Sequence, residues 1–299
     1  MLNAAPPITA IAFAPDYRQV LIGSQSGIEI RSWPDLAIAG IVETELAHVH
    51  DLQFSPNGKT LLAAGGAPAE FGAVEVTSWP SKDRVGRVAV HEDLIYRVAW
   101  APNGLQWASA AADSTCSVVD GLSGEPIARY TGHSRPVLDI KYLQDGKTLI
   151  SVGIDQTIRL WDSTDGSHVR TLDNHVGTVN AISSRPPDSS EGTSVVETVA
   201  TISEDCTVRF WQPTIGRLMR FSRLPSAPRS LSWSKSGDQL FVGCNDGMVR
   251  VLDFNSMAVI KTLDSDVGRL NELIIDFERN KMLVGGTQGF RRLEPIFFQ

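Results

Sequence analysis

Short apolar runs recur along the chain at fixed offsets, separated by turn-forming residues. After His133, Val137, Ile140 and Tyr142 stand at offsets of four, seven and nine. His91 is followed at the same offsets by Ile95, Val98 and Trp100, and His175 by Val179, Ile182 and Ser184. Four stretches repeat the pattern without the histidine: Ile8, Ile11, Phe13; Val49, Leu52, Phe54; Pro228, Leu231, Trp233; and, more weakly, Glu272, Ile275, Phe277. The offset-nine positions are 13, 54, 100, 142, 184, 233 and 277, with gaps of 41, 46, 42, 42, 49 and 44 residues. Seven copies of a unit of about 40–45 residues match the period of propeller blades, not that of helical repeats.

The fourth copy gives the order of elements within a unit: VLDIKYL, TLISVG, TIRLWDS and HVRTLD, four short strands joined by Gly- and Asp-containing turns. The period-2 and buried-run patterns leave no room for long amphipathic helices, so the chain reads as all-β. A four-stranded sheet with two apolar faces is unstable alone. Seven such sheets stacked in a ring cover one another. The expectation is a single domain over 1–299, a seven-bladed β-propeller of four-stranded antiparallel blades at about 4–44, 45–90, 91–131, 132–173, 174–223, 224–264 and 265–299. Only MLNAAPP precedes the first inner strand, so the last blade is expected to have three strands, or to gain a brief outer strand from residues 2–5. PIFFQ at 295–299 is expected to bend across the seam, because Phe297 and Phe298 are costly to expose.

Composition narrows the function. The chain has 299 residues, a net charge of −7 and no basic block, which disfavours a nucleic-acid partner and a membrane surface. Three widely spaced cysteines, Cys116, Cys206 and Cys244, fit free thiols in a reducing compartment. The start lacks the basic and apolar regions of a signal peptide, and no apolar run is long enough for a membrane span; a cytoplasmic location is expected.

The motifs TIRLWD (157–162) and TVRFWQ (207–212), with Gly132-His133, resemble those of the WD-repeat (WD40) β-propeller family across residues 4 to 299. That resemblance implies a buried tetrad: a His before the first strand, a Ser or Thr in the second, the Asp of the next turn and a Trp in the third. Carried onto this chain, it gives His133, Ser151, Asp155, Trp161 in the fourth copy and His175, Thr201, Asp205, Trp211 in the fifth. The third has His91, Ser109 and Asp113, with Val119 at the Trp position, and the sixth keeps only Asp246. The first two copies carry RSWP and TSWP, with Trp33 and Trp79 two residues past the usual place. A Ser-His-Asp set invites a hydrolase reading. Its repetition, and the mid-strand place of Ser151, argue for folding instead of catalysis.

The resemblance implies a non-catalytic interaction scaffold, a monomer or part of a larger complex, that binds a protein or peptide on the face at the narrower channel mouth. Candidate recognition residues are those at offsets three and five of the copies: His48 and His50, Leu94 and Tyr96, Asn180, Arg229 and Asn271. Glu204 and Asn245, just before turn aspartates, join them, as do Glu70 and Phe71 at the tip of a four-residue insertion in the second copy. A second insertion, at 184–197, reads as a loop on the opposite face. The alternative is a propeller enzyme or metal-dependent hydrolase with a site in the channel. Only His48, His50 and Glu272 supply ligand types there, so neither metal nor cofactor is expected.

Overall fold

The computed structural model describes residues 6–187 and 196–294. Twenty-seven strands form seven antiparallel sheets, each running in chain order from an inner to an outer strand. Six sheets have four strands; the last has three, Leu270–Asp276, Lys281–Gly286 and Gly289–Leu293. The chain is a seven-bladed β-propeller. Residues 2–5 and 295–299, for which seam contacts were expected, lie outside the described residues.

Burial explains the strand chemistry. The second strand of blade 4, Thr148–Gly153, is buried at every residue but its first, because a blade covers each of its faces. The outer strand His168–Leu172 is buried only at Leu172. Seven apolar clusters fill the seven junctions. Val118, Tyr130, Ile140 and Trp161 join blades 3 and 4, and the rings of Phe210, Trp233 and Phe254, 5.3 to 5.7 Å apart, join blades 5 and 6. The ring closes where Ile8, Ile11, Val20 and Trp33 of blade 1 pack with Leu283 of blade 7. The approach there is tight: a Cβ on Gly285 would lie 2.6 Å from Ile8 Cγ2. Polar groups clasp the same seam. Trp33 Nε1 donates to Asp276 Oδ2 at 2.6 Å, Asn271 Nδ2 to the Ile8 carbonyl at 2.9 Å, and Arg292 to the Pro34 carbonyl.

Two local expectations change. The pairing Leu270↔Gly286 matches Val137↔Gly153 of blade 4, so Leu270, Leu273 and Ile275 fill the core positions and Phe277 falls after the strand. The sequence register was two residues late, since it placed the Glu272 carboxylate in an apolar slot. In blade 2 the four extra residues make no projecting loop. They lengthen a hairpin, Thr60–Ala67 with Phe71–Ser78, paired to its end at Ala67↔Phe71.

Each inner strand carries a β-bulge directly after its first core position, where the register skips one residue. A bulge leaves one residue outside the ladder and re-aims its side chain. The seven bulged residues are Thr9, His50, Tyr96, Leu138, Asn180, Arg229 and Asn271.

Candidate functional site

Two blades hold the complete polar tetrad, and a third holds its His-Ser-Asp part. In blade 4, Trp161 Nε1 donates to Ser151 Oγ at 2.8 Å, Ser151 lies 2.8 Å from His133 Nε2, and His133 Nδ1 lies 2.9 Å from Asp155 Oδ2. Since the carboxylate only accepts, Nδ1 carries the proton and Nε2 accepts the serine hydroxyl. Blade 5 repeats this with Trp211 to Thr201 at 2.9 Å, Thr201 to His175 at 2.9 Å and His175 to Asp205 at 2.9 Å. In blade 3, His91 lies 2.8 Å from Ser109 and 3.0 Å from Asp113. Val119 stands at the Trp position there, paired across the ladder with buried Trp107.

Burial opposes ionisation of the three carboxylates, but hydrogen bonds from His and Thr overcome it. Asp113 and Asp155 are held well below the usual range and Asp205 at about 2. Burial lowers the His175 imidazole against the pull of Asp205. Ser109, Ser151 and Thr201 are each 0% exposed, so no substrate reaches their hydroxyls. Among the described residues no group of three or more His, Cys, Asp or Glu side chains is placed to hold a metal ion.

The channel mouth is built differently. All seven bulged residues, together with Arg97 and Arg269, line one cavity of about 310 Å³. Of the sequence candidates, His50, Tyr96, Asn180, Arg229 and Asn271 meet there. His48 stands beside them, its ring 6.2 Å from His50, which in turn meets Tyr96 edge-on at 5.4 Å. Glu204 and Asn245 support the rim: Asn180 Nδ2 donates to Glu204 at 3.2 Å, Arg229 Nη1 lies 3.0 Å from Glu204, and Arg229 Nε donates to Asn245 at 2.8 Å. Three candidates lie elsewhere. Leu94 is buried, and Phe71 is half-buried in the hairpin with the Arg87 guanidinium 4.4 Å over its ring. Glu70 is exposed at the hairpin tip, whose Ala69 amide donates to Asp93 at 2.8 Å.

Below the bulged residues runs a charged layer. Arg97 reaches Glu272 at 2.5 Å and Asp51 at 3.4 Å, and these acids hold its guanidinium charged although it is largely buried. Asp51 also accepts from the Val98 amide, Asp139 from the Ile182 amide, and Ser230 from the Leu273 amide. Each is a latch from one blade to the next. Burial, His48 and Arg97 push the His50 imidazole down to about 4, so it is neutral near pH 7. Burial and Asp93 raise the Tyr96 phenol, which remains a donor.

Sequence reasoning missed Thr9, Leu138, Arg97 and Arg269 at the mouth. With blade 7 in its observed register, offset three falls on Arg269, the place His48 holds in blade 2.

A family model described as "WD domain, G-beta repeat" matches residues 83–120, 124–162, 166–212 and 223–253, together more than half of the chain. The guanine nucleotide-binding protein subunit beta of Oryza sativa subsp. japonica is 24% identical, over 93% of this chain and 77% of its own length. Protein HIR1 of Mycosarcoma maydis is 26% identical over 67% of this chain, and the eukaryotic translation initiation factor 3 subunit I of Neurospora crassa 31% identical over 52%. This chain spans only 21% of that HIR1 and 43% of that subunit. With seven blades, two complete tetrads and this match, the chain belongs to the WD40 repeat family.

Proposed function

We propose that this propeller is a non-catalytic scaffold that binds a protein or peptide segment at the mouth formed by the bulged residues. One observation carries the reading: seven blades that repeat one another in their cores send six different kinds of side chain into one cavity. Thr, His, Tyr, Leu, Asn and Arg together make a surface that reads shape and hydrogen bonding. The repeated Ser-His-Asp sets, by contrast, are sealed. The relatives support the class: a nucleotide-binding protein's beta subunit and an initiation-factor subunit are, by name, parts of assemblies. A cytoplasmic setting belongs to the same reading, with three free cysteines fitting a reducing compartment.

The test is an affinity pull-down with the whole chain, repeated with His50, Tyr96 and Arg229 changed to Ala. Loss of a specific partner from the variants is the expected result. A partner list that does not change refutes the mouth as the binding face.

A further inference from the structure

The mouth shows an asymmetry of charge that names its ligand more closely. Two arginines line the cavity above the buried layer, Arg229 and Arg269, and no carboxylate lines it. Arg229 engages Nε and Nη1 with Asn245 and Glu204. Arg269 is exposed, and among the described residues no carboxylate lies within ion-pair reach of it.

The layer beneath contains three acids against Arg97 and Lys141, and would favour a cation were those acids free. They are not. Asp51 has one oxygen on the Leu52 amide and the other on the Val98 amide. Asp139 has one on Ile140 and one on Ile182. Glu272 has one on the Ser230 hydroxyl and one on Arg97. Every oxygen of these three carboxylates is engaged within the ring, whereas the mouth holds donors without a partner among the described residues: the Arg269 guanidinium, one amino group of Arg229 and the Tyr96 hydroxyl. Asn180 is part of the rim itself. Its Nδ2 donates to two acceptors, which fixes the amide orientation, and its Oδ1 is buried without a partner among the described residues.

We propose that the mouth takes an Asp or Glu side chain from an extended segment of the partner, held by Arg269 and Arg229. This rests on the reading of the mouth as the partner site. It explains why a chain of net charge −7 keeps an unpaired arginine at its channel.

A random-peptide display library, panned against the whole purified chain, tests it. The selected peptides are expected to share an acidic residue. Their affinity, read by fluorescence anisotropy, is expected to fall about tenfold or more when that residue becomes Asn or Gln, and equally with Arg269→Gln. Arg269→Glu is expected to redirect selection towards Lys- or Arg-bearing peptides. Arg269 is exposed, and an unchanged unfolding midpoint shows that each variant is folded. Peptides that require Tyr96 (tested by Tyr96→Ala) but share no acidic residue, or ignore Arg269→Gln, overturn the acidic ligand and leave the mouth standing. Peptides indifferent to Tyr96→Ala, or a library that yields no binder, overturn both.

Discussion

Asp155→Ala isolates what a tetrad contributes. The carboxylate side chain is 4% exposed and accepts four hydrogen bonds: from His133 Nδ1 at 2.9 Å, the Ser134 amide at 3.1 Å, the Thr157 amide at 3.2 Å and the Thr157 hydroxyl at 2.9 Å. Truncation leaves the Nδ1–H of His133, a side chain only 1% exposed, without an acceptor. An orphaned buried donor costs about 1–3 kcal/mol, and each lost turn hydrogen bond about 0.5–1.5 kcal/mol. Some of the amides regain water, so a total of about 3–5 kcal/mol is expected, in the range for breaking a buried ionic pair. For a chain of this size that is a fall of roughly 6–10 °C in melting temperature. Urea titration followed by tryptophan fluorescence gives the energy, with Glu29→Ala as control. That carboxylate pairs with Arg31 but is 51% exposed, and its loss is expected to cost at most about 1 kcal/mol. A double variant, Asp155→Ala with His133→Ala, is expected to cost little more than the larger single change, because both act on one network. An Asp155→Ala variant as stable as Glu29→Ala would refute the assignment of the tetrad to folding.

Three further outcomes follow from the same geometry. The folded pKa values of Asp205 (about 2) and of Asp113 and Asp155 are depressed, so their stabilisation is complete above the unfolded value near pH 4 and lost as pH falls towards 2. His50 and His175 are also depressed, which moves the first loss of stability up to the window between about pH 6.5 and 4; His50→Gln should remove part of that early loss, at most about 3 kcal/mol and less for a partly solvated ring, as urea midpoints against pH will show. Trp33→Phe keeps the ring but deletes the donor to buried Asp276, which retains Arg279; a cost of about 1–3 kcal/mol is expected, and hydrogen exchange should quicken first in Ile8–Phe13 and Leu270–Asp276. Burial pushes the thiols of Cys116 and Cys244 up to about 12 and about 11, so a thiol reagent at neutral pH should modify only the half-buried Cys206 in the native chain and all three in urea.

The sequence was most legible where one residue type can do only one job. His133, Ser151, Asp155 and Trp161 signal a buried polar chain at fixed offsets, and the blades around them fell into register. It was least legible where apolar residues are interchangeable. In blade 7, Ile275 and Phe277 satisfied the template as well as Leu273 and Ile275 do, and only pairing to Lys281–Gly286 decides between them. That two-residue slip concealed Arg269. Thr9 and Leu138 were missed for another reason: neither carries chemistry that stands out, and their place at the mouth follows from a bulge. The Arg97 pairs with Asp51 and Glu272 join residues 46 and 175 apart and exist only once the ring is closed.

The bulges separate the positions that pack from those that face the channel. In an unbroken strand each side chain is committed to one face by the pleat, and within a propeller both faces are core. Blade 4 shows the result, with Val137 and Ile140 both 0% exposed on either side of the bulge. Inserting one residue between such positions releases a single side chain per blade from the packing requirement and turns it to the channel. Those released positions hold six kinds of side chain, from Leu138 to Arg229, while the core positions beside them remain apolar. A residue that repeats in every blade can serve only what every blade needs, which is to fold. On the proposed reading, selectivity for one partner falls to the positions that do not repeat, and these meet at one mouth.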